Sequence, residues 1–161
     1  MLRADAVYDK GVFRIHFEAL LAAPVADVAA VLGDYAGYGT LDSRIRRVEL
    51  LGSQPDGAVL MRTRIRACAG VFCRTVERVE RVERLPAGQV AEVIPERSDI
   101  RRGVARTSWQ QKGTGTLVLY ETEFEPDFFV PGFIAQRSGV KELRESTLRM
   151  FKSVERAAND R

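Results

Sequence analysis

The sequence predicts an α+β domain in which a curved antiparallel sheet of about seven strands wraps around one long C-terminal helix. An alternating segment opens the chain, short segments separated by turn residues fill its middle, and a stripe of helical spacing closes it. At 161 residues the chain fits one domain, residues 1–161, because single cores typically organise about 100 to 150 residues.

The opening segment, Tyr8 to Leu21, has the alternation of a half-buried strand. Its apolar face carries Phe13, Ile15, Phe17 and Ala19, and its polar face carries Arg14, His16 and Glu18. We therefore expect a first strand here with one face in the core.

Two short helices are expected after this first strand. Pro24 suits the first position of a helix, and apolar residues follow at helical spacing through Leu32. Glycines at 33, 37 and 39 interrupt the pattern. Tyr35 and Tyr38 are placed to anchor a second helical turn against the sheet.

The middle of the chain, from Ser43 to Thr122, predicts a meander of six strands. Five groups of turn residues divide it, at residues 53–57, 69–72, 86–88, 95–103 and 112–115. Connections this short favour antiparallel pairing, because a parallel crossover needs a dozen residues or more.

One run within the meander has an ambiguous period. Val76, Val79 and Val82 recur every three residues, which by periodicity alone indicates a helix. The run follows a tight turn and precedes Pro86, and β-branched valines suit a strand. We therefore predict a long hairpin strand.

The last segment predicts one long amphipathic helix beginning after Pro131. Its apolar stripe comprises Ile134, Val140, Leu143, Thr147, Met150, Phe151, Val154 and Ala158. A stripe of this length must cover another surface, and the sheet is the only candidate.

This order of elements resembles the helix-grip superfamily of START-related lipid carriers, pollen-allergen relatives and polyketide cyclases. Residues 22–35, AAPVADVAAVLGDY, resemble that superfamily's passage from first strand to first helix. Residues 124–134, FEPDFFVPGFI, are similar to the segment leading into the last helix of bacterial polyketide cyclase and coenzyme Q-binding proteins. The resemblance covers nearly the whole chain.

The resemblance implies a ligand cavity without fixing a reaction, because fold does not determine function. We expect non-catalytic binding or transport of a lipid, isoprenoid quinone or polyketide-like molecule. One alternative is an aromatase or cyclase in which Arg78, Tyr120 or Glu80 polarises a carbonyl or moves a proton. Another is a ribosome- or protein-interaction module using a surface of arginines, namely Arg44, Arg46, Arg47, Arg62 and Arg66.

Cys68 and Cys73 flank a predicted two-residue turn at Gly70 and Val71. If Ala69 faces Phe72, then the two cysteines form the next, non-hydrogen-bonded pair, with Cα atoms about 4.5 Å apart. That separation allows a disulfide, at the short end of the usual range. The alternative is two half-buried thiols, since the redox compartment decides which form persists.

The same register gives the predicted inner face of this hairpin two charges. Thr63 faces Arg78 and Met61 faces Glu80. Burying a charge is costly unless it is paired. The two side chains therefore neutralise each other, meet the polar head of a ligand in a wet cavity, or indicate a bulge that reverses the register.

The predicted ligand cavity combines inward-facing strand residues with residues of the last helix. Its members are Phe13, Phe17, Met61, Ile65, Val76, Arg78, Glu80, Trp109, Val118, Tyr120, Thr122, Phe124, Val140 and Leu143. The same residues also suit an ordinary packed core.

The sequence favours no catalytic residue, cofactor or metal. His16 is the only histidine, and alternation places it on the polar face of the first strand. Two sulfurs and one distant histidine do not complete a zinc shell. Nucleophile elbows, phosphate-binding loops and dinucleotide fingerprints are missing as well.

The composition predicts an ordinary globular chain. The net charge of +3 is mild and does not indicate DNA binding. The expectation of an apolar small-molecule partner follows from the resemblance. We expect a monomer or weak dimer, no transmembrane segment and at most peripheral membrane contact. The N-terminal residues lack a secretion signal, which predicts a cytoplasmic protein, or a periplasmic one if a signal was removed and the cysteines are oxidised.

Overall fold

The computed structural model describes residues 2–161, which form one antiparallel sheet and a covering layer of helices. The strands are β1 (Arg3–Asp9), β2 (Val12–Leu21), β3 (Ile45–Ser53), β4 (Val59–Ala69), β5 (Phe72–Leu85), β6 (Gly88–Val93), β7 (Ile100–Lys112) and β8 (Gly115–Pro126). The helices are α1 (Val25–Gly33), α2 (Gly132–Ile134) and α3 (Val140–Asn159), with 3-10 turns at Tyr35–Thr40 and Pro95–Arg97.

The predicted fold class is confirmed, with eight strands where the sequence indicated about seven. The sheet order is β1-β2-β8-β7-β6-β5-β4-β3, and every neighbouring pair is antiparallel. The additional strand is β1, which pairs with β2 through a turn in which Lys10 and Gly11 have φ of 50° and 86°. The two short helices therefore follow the second strand.

The six-strand meander is present as β3 to β8, and the valine run is a strand. Val76 and Val82 point to the face that carries the cavity, whereas Val79 lies on the opposite face. All three are nonetheless buried. The strand β5 is covered on both faces at this point, so valines on either face can be buried. The three-residue period therefore does not indicate a helix.

The C-terminal helix begins after Pro131 as predicted and is continuous through a π-helical turn at Ala135–Gly139, which joins α2 to α3. Phe151, Val154 and Ala158 of α3 are buried against the sheet. The ring of Phe151 stacks on that of Phe17 from β2, with centroids 4.9 Å apart. This contact fixes the helix across one end of the sheet. No helix within residues 2–161 is long and apolar enough to span a membrane.

Candidate functional site

A cavity of about 260 Å³ lies between the concave face of the sheet and α3. Strands β3 to β8 provide most of its wall, and the 3-10 turn Tyr35–Thr40 and α3 close it. Most of the lining side chains are apolar, which is typical of a small-molecule site with a few polar groups that fix orientation.

Nine of the fourteen residues predicted for the cavity line it. They are Met61, Ile65, Val76, Arg78, Glu80, Tyr120, Thr122, Phe124 and Leu143. Each strand residue among them lies on the face that alternation predicted.

The other five predicted residues lie outside the lining. Phe17, Trp109 and Val118 are buried in the hydrophobic core that also contains Phe151. Val140 packs at the edge of that core. Phe13 is buried, and its ring stacks on that of Phe124 with centroids 5.2 Å apart. Alternation assigned the four strand residues of this set to the correct face but could not divide that face into packed and open parts.

Arg78 and Glu80 of β5 form the first charged pair of the cavity. The register of β4 and β5 has no shift, so a bulge does not explain these charges. The Nε atom of Arg78 lies 3.0 Å from Oε1 of Glu80. The N–H of that nitrogen makes no well-directed hydrogen bond, so the contact is an ion pair. Both side chains line the cavity.

Asp42 and Arg44 form a second charged pair that the sequence did not indicate as part of the cavity. The Asp42 carboxylate accepts hydrogen bonds from Nε of Arg44 at 3.0 and 3.2 Å and from Nη2 at 2.6 Å. It also accepts one from the backbone N–H of Arg44 at 3.0 Å. This two-pronged arrangement orients the guanidinium, which lines the cavity.

The contact between Asp42 and Arg44 shifts the pKa of both side chains. Burial opposes ionisation of Asp42, but the hydrogen bonds from Arg44 outweigh it and hold the pKa of Asp42 below its ordinary value. Burial likewise opposes the charge on Arg44, yet the bonds to Asp42 leave the pKa of Arg44 raised. Both groups therefore stay charged near neutral pH.

Three further polar side chains of the lining extend this polar region. The Tyr38 hydroxyl donates to the carbonyl oxygen of Leu32 and accepts from Nε2 of Gln89 at 2.9 Å. Burial raises the pKa of Tyr38, and burial also raises the pKa of Tyr120. Both phenols therefore remain neutral hydroxyls, able to donate or accept a hydrogen bond.

The charged pair that sequence reasoning missed lies outside the regular strands. Asp42 and Arg44 belong to the connection before β3, where no periodicity applies. Arg44 was predicted for an exposed basic surface, but it turns into the cavity. Within that surface, Arg47 and Arg62 both pair with Glu49, which leaves the predicted arginine patch partly neutralised.

The β4–β5 hairpin lies beside the lead-in to the last helix. Cys68 faces Cys73 in the predicted register, and the structure joins them by a disulfide. Gly70 starts the turn with φ of 64°. Beyond the disulfide, the guanidinium carbon of Arg74 lies 4.4 Å from the ring centroid of Phe128, which lines the cavity.

The side chain of His16 is half-buried and points to the other face of β2 from that of Phe17. Its Nδ1 atom lies 3.2 Å from Oε1 of Glu121. It does not reach the cavity, in keeping with its predicted position on the polar face. Within residues 2–161, no three His, Cys, Asp or Glu side chains are grouped so that they could hold a metal ion.

The chain matches the profile of one protein family over residues 13–154. That family is described as "polyketide cyclase / dehydrase and lipid transport". The match includes every strand from β2 onward and most of α3. No curated protein matches the sequence significantly.

Solved structures with the same fold belong to proteins of low sequence identity. A START superfamily protein from Mycobacterium smegmatis has a TM-score of 0.72 and 17% identity, covering 91% of this chain and 97% of its own. A STAR-related lipid transfer protein from Xanthomonas axonopodis has a TM-score of 0.70 and 17% identity, covering 97% and 98%. An aromatase/cyclase from Streptomyces sp. R1128 has a TM-score of 0.68 and 16% identity, covering 92% and 94%.

Proposed function

We propose that this chain, which belongs to the polyketide cyclase / dehydrase and lipid transport family, binds or carries a hydrophobic small molecule in the cavity between its sheet and α3. A lipid, an isoprenoid quinone and a polyketide-like ring system are the ligand classes that suit the cavity. The observation that carries the proposal is a mostly apolar cavity whose lining includes four charged side chains.

The cavity suits a compact ligand. Its volume of about 260 Å³ lies just below the roughly 300 to 1,000 Å³ found for drug-sized sites. The apolar part of the wall includes Ile65, Val93 and Leu143, which favour burial of a ring or a chain. Transfer of apolar surface into such a site stabilises a complex by about 25 cal/mol per Å².

Native mass spectrometry of protein purified without detergent tests this proposal. We expect a stoichiometric mass increment that disappears on denaturing extraction, and the extract identifies the ligand class. An empty protein whose thermal unfolding is unchanged by added lipids, quinones or aromatic ketones would contradict it.

Aromatase or cyclase activity is the second candidate, favoured by the position of Tyr120. The Tyr120 hydroxyl is within electrostatic range of Arg44, Arg78 and Glu80. Guanidinium groups can polarise a ligand carbonyl, and a neutral phenol can transfer a proton to a developing enolate oxygen. The same groups that orient a bound ketone could thereby stabilise its enolate, with the Glu80 carboxylate accepting the proton released from the α-carbon.

Deuterium exchange separates these two candidates. Protein saturated with 2-acetylnaphthalene in D₂O should accelerate exchange of the methyl protons if the site enolises ketones, and Tyr120→Phe should abolish that acceleration. Binding without accelerated exchange supports the carrier and removes the second candidate.

Peripheral contact with an anionic membrane is the route by which we propose that the ligand is exchanged. Val71 at the hairpin turn is 95% exposed, and Phe129 and Phe133 in the lead-in to α3 are also exposed. Arg74 joins the two segments through its contact with Phe128. Exposed aromatic and aliphatic side chains beside arginines suit the interface of an anionic bilayer.

Co-sedimentation with vesicles tests this route. Vesicles containing phosphatidylserine should retain the wild type, and Val71→Asp combined with Phe129→Asp should release it. Leu50→Asp, at an exposed position on β3, is the matched control and should not change retention. Equal binding of all three proteins would contradict a specific contact at the hairpin.

A further inference from the structure

The four charged side chains that line the cavity cancel one another. Asp42 is bonded to Arg44, and Glu80 is paired with Arg78. No other charged residue among 2–161 is part of the lining. The wall that a ligand meets therefore has no net charge.

The nearest charges on the covering helix do not alter this balance. Glu142 acts on Arg44 and Arg149 acts on Asp42. These two side chains are bonded to each other, with Nη2 of Arg149 donating to Oε1 of Glu142 at 2.8 Å. They also contribute one positive and one negative charge.

Within each pair the acid is the more deeply buried member. The side chains of Asp42 and Glu80 are 9% and 5% exposed, against 29% for Arg44 and 32% for Arg78. The guanidinium groups are therefore more accessible than the carboxylates. Of the five N–H donors on Arg44, Asp42 engages those of Nε and Nη2, so the Nη1 donors do not bond to it.

A cavity wall that exposes hydrogen-bond donors but has no net charge prefers an uncharged acceptor to an anion. A carbonyl oxygen accepts hydrogen bonds from such donors and adds no charge to the site. A carboxylate or phosphate accepts the same bonds but adds a charge that no free cation compensates. Moving an uncompensated ion out of water into an apolar site costs several kcal/mol, so the charged ligand is disfavoured.

We infer that the cavity selects an apolar ligand whose polar end is an uncharged oxygen acceptor, such as a ketone or quinone carbonyl, and discriminates against the corresponding carboxylate or phosphate. This inference rests on the proposed function and narrows its ligand class. Free fatty acids and phosphorylated isoprenoids are thereby excluded as preferred ligands.

Isothermal titration of two ligands with one skeleton tests the inference. At pH 7.5, 2-acetylnaphthalene presents a ketone and 2-naphthoate presents a carboxylate on the same ring system. We expect the wild type to bind the ketone at least about tenfold more tightly. Equal affinity, or tighter binding of the carboxylate, would overturn the inference while leaving the proposed function in place.

Two variants test whether compensation of the arginines causes the preference. Glu80→Gln and Asp42→Asn each leave one guanidinium uncompensated, so each should shift the ketone-to-carboxylate affinity ratio toward the carboxylate by about tenfold. Glu123→Gln removes a carboxylate that pairs with Arg14 outside the cavity and should not change the ratio. A ratio that stays the same in both cavity variants would overturn the inference.

If a cavity variant does not fold, the affinities of the wild type for 2-acetylnaphthalene and 2-naphthoate still test the inference. A failure of the proposed function gives a different result, because neither naphthalene compound would then bind, and native mass spectrometry would also find the cavity empty.

Discussion

Arg78 and Glu80 occupy alternate positions of β5, so both side chains project from the concave face, and Nε of Arg78 lies 3.0 Å from Oε1 of Glu80. Glu80 is buried and Arg78 is partly exposed to the cavity. Each side chain compensates the charge of the other, so removal of one partner leaves an uncompensated charge within the protein.

Glu80→Ala should therefore destabilise the protein. We expect the free energy of unfolding to fall by about 3 kcal/mol, measured by urea denaturation at pH 7. The double variant Arg78→Met with Glu80→Leu is the matched comparison and should recover most of this loss, because it removes both charges and fills similar volume. If the double variant were as unstable as Glu80→Ala, lost packing rather than an unpaired charge would be the cause.

The pair of Asp42 and Arg44 should make stability depend on acid pH. The pKa of folded Asp42 is lowered, so its contribution is present above the unfolded pKa of about 3.9 and is lost as pH falls through the folded pKa. The wild type should exceed Asp42→Asn in stability by about 2 to 4 kcal/mol at pH 7, and the difference should shrink below about pH 4. Urea denaturation at several pH values measures this.

Arg44→Gln provides the complementary measurement for Asp42. Without the guanidinium, burial is opposed only by the backbone N–H bond and by Arg149, so the pKa of Asp42 should rise relative to the wild type. The acid-dependent loss of stability should then begin at a higher pH than in the wild type. An unchanged midpoint of that loss would contradict a stabilising bond between the two side chains.

A larger side chain on the cavity wall should block the ligand. Ala91 of β6 lines the cavity, between Val82 of β5 and Ala105 of β7. Ala91→Phe should lower the affinity for 2-acetylnaphthalene at least about tenfold, because the ring occupies the space of the ligand. Titration calorimetry measures the change.

Val90→Phe is the matched control for Ala91→Phe. Val90 is adjacent on β6 and points to the opposite face of the sheet. Val90→Phe adds a ring to the same strand but should leave the affinity for 2-acetylnaphthalene unchanged. If both variants bound the ligand as tightly as the wild type, the ligand would lie outside this cavity.

The disulfide between Cys68 and Cys73 should contribute modestly to stability. It closes a loop with a sequence separation of five, for which the chain-entropy relation gives about 2 kcal/mol as an upper value, since the hairpin already constrains this loop. Urea denaturation with dithiothreitol should lower the stability of the wild type but not that of Cys68→Ser combined with Cys73→Ser. Equal sensitivity of the two proteins to reductant would contradict this contribution.

The register of the β4–β5 hairpin shows how much could be predicted from local sequence. A two-residue turn at Gly70 and Val71 determines every pair that follows, because successive residues alternate between faces. Ile65 therefore faces Val76, and Met61 faces Glu80, as predicted. The long valine-rich strand could be predicted in the same way from the turn and Pro86.

The cavity could be predicted only in part. Alternation identified which residues point inward, and nine of the fourteen expected positions line the space. It could not separate Trp109, buried in the packed core, from Tyr120, which lines the cavity. That division depends on where α3 packs across the sheet, which includes the stacked rings of Phe17 and Phe151.

The sequence by itself determined the order of elements from β2 onward, the pairing of β4 with β5 and the face on which each predicted strand residue lies, because turns and alternation act over a few neighbouring residues. Only the tertiary structure brought Asp42 and Arg44, from an irregular connection, against the same cavity as Arg78 and Glu80. Each pair neutralises itself within two residues, but the position of both pairs on one cavity depends on contacts between segments distant in the chain, and no local pattern encodes such contacts.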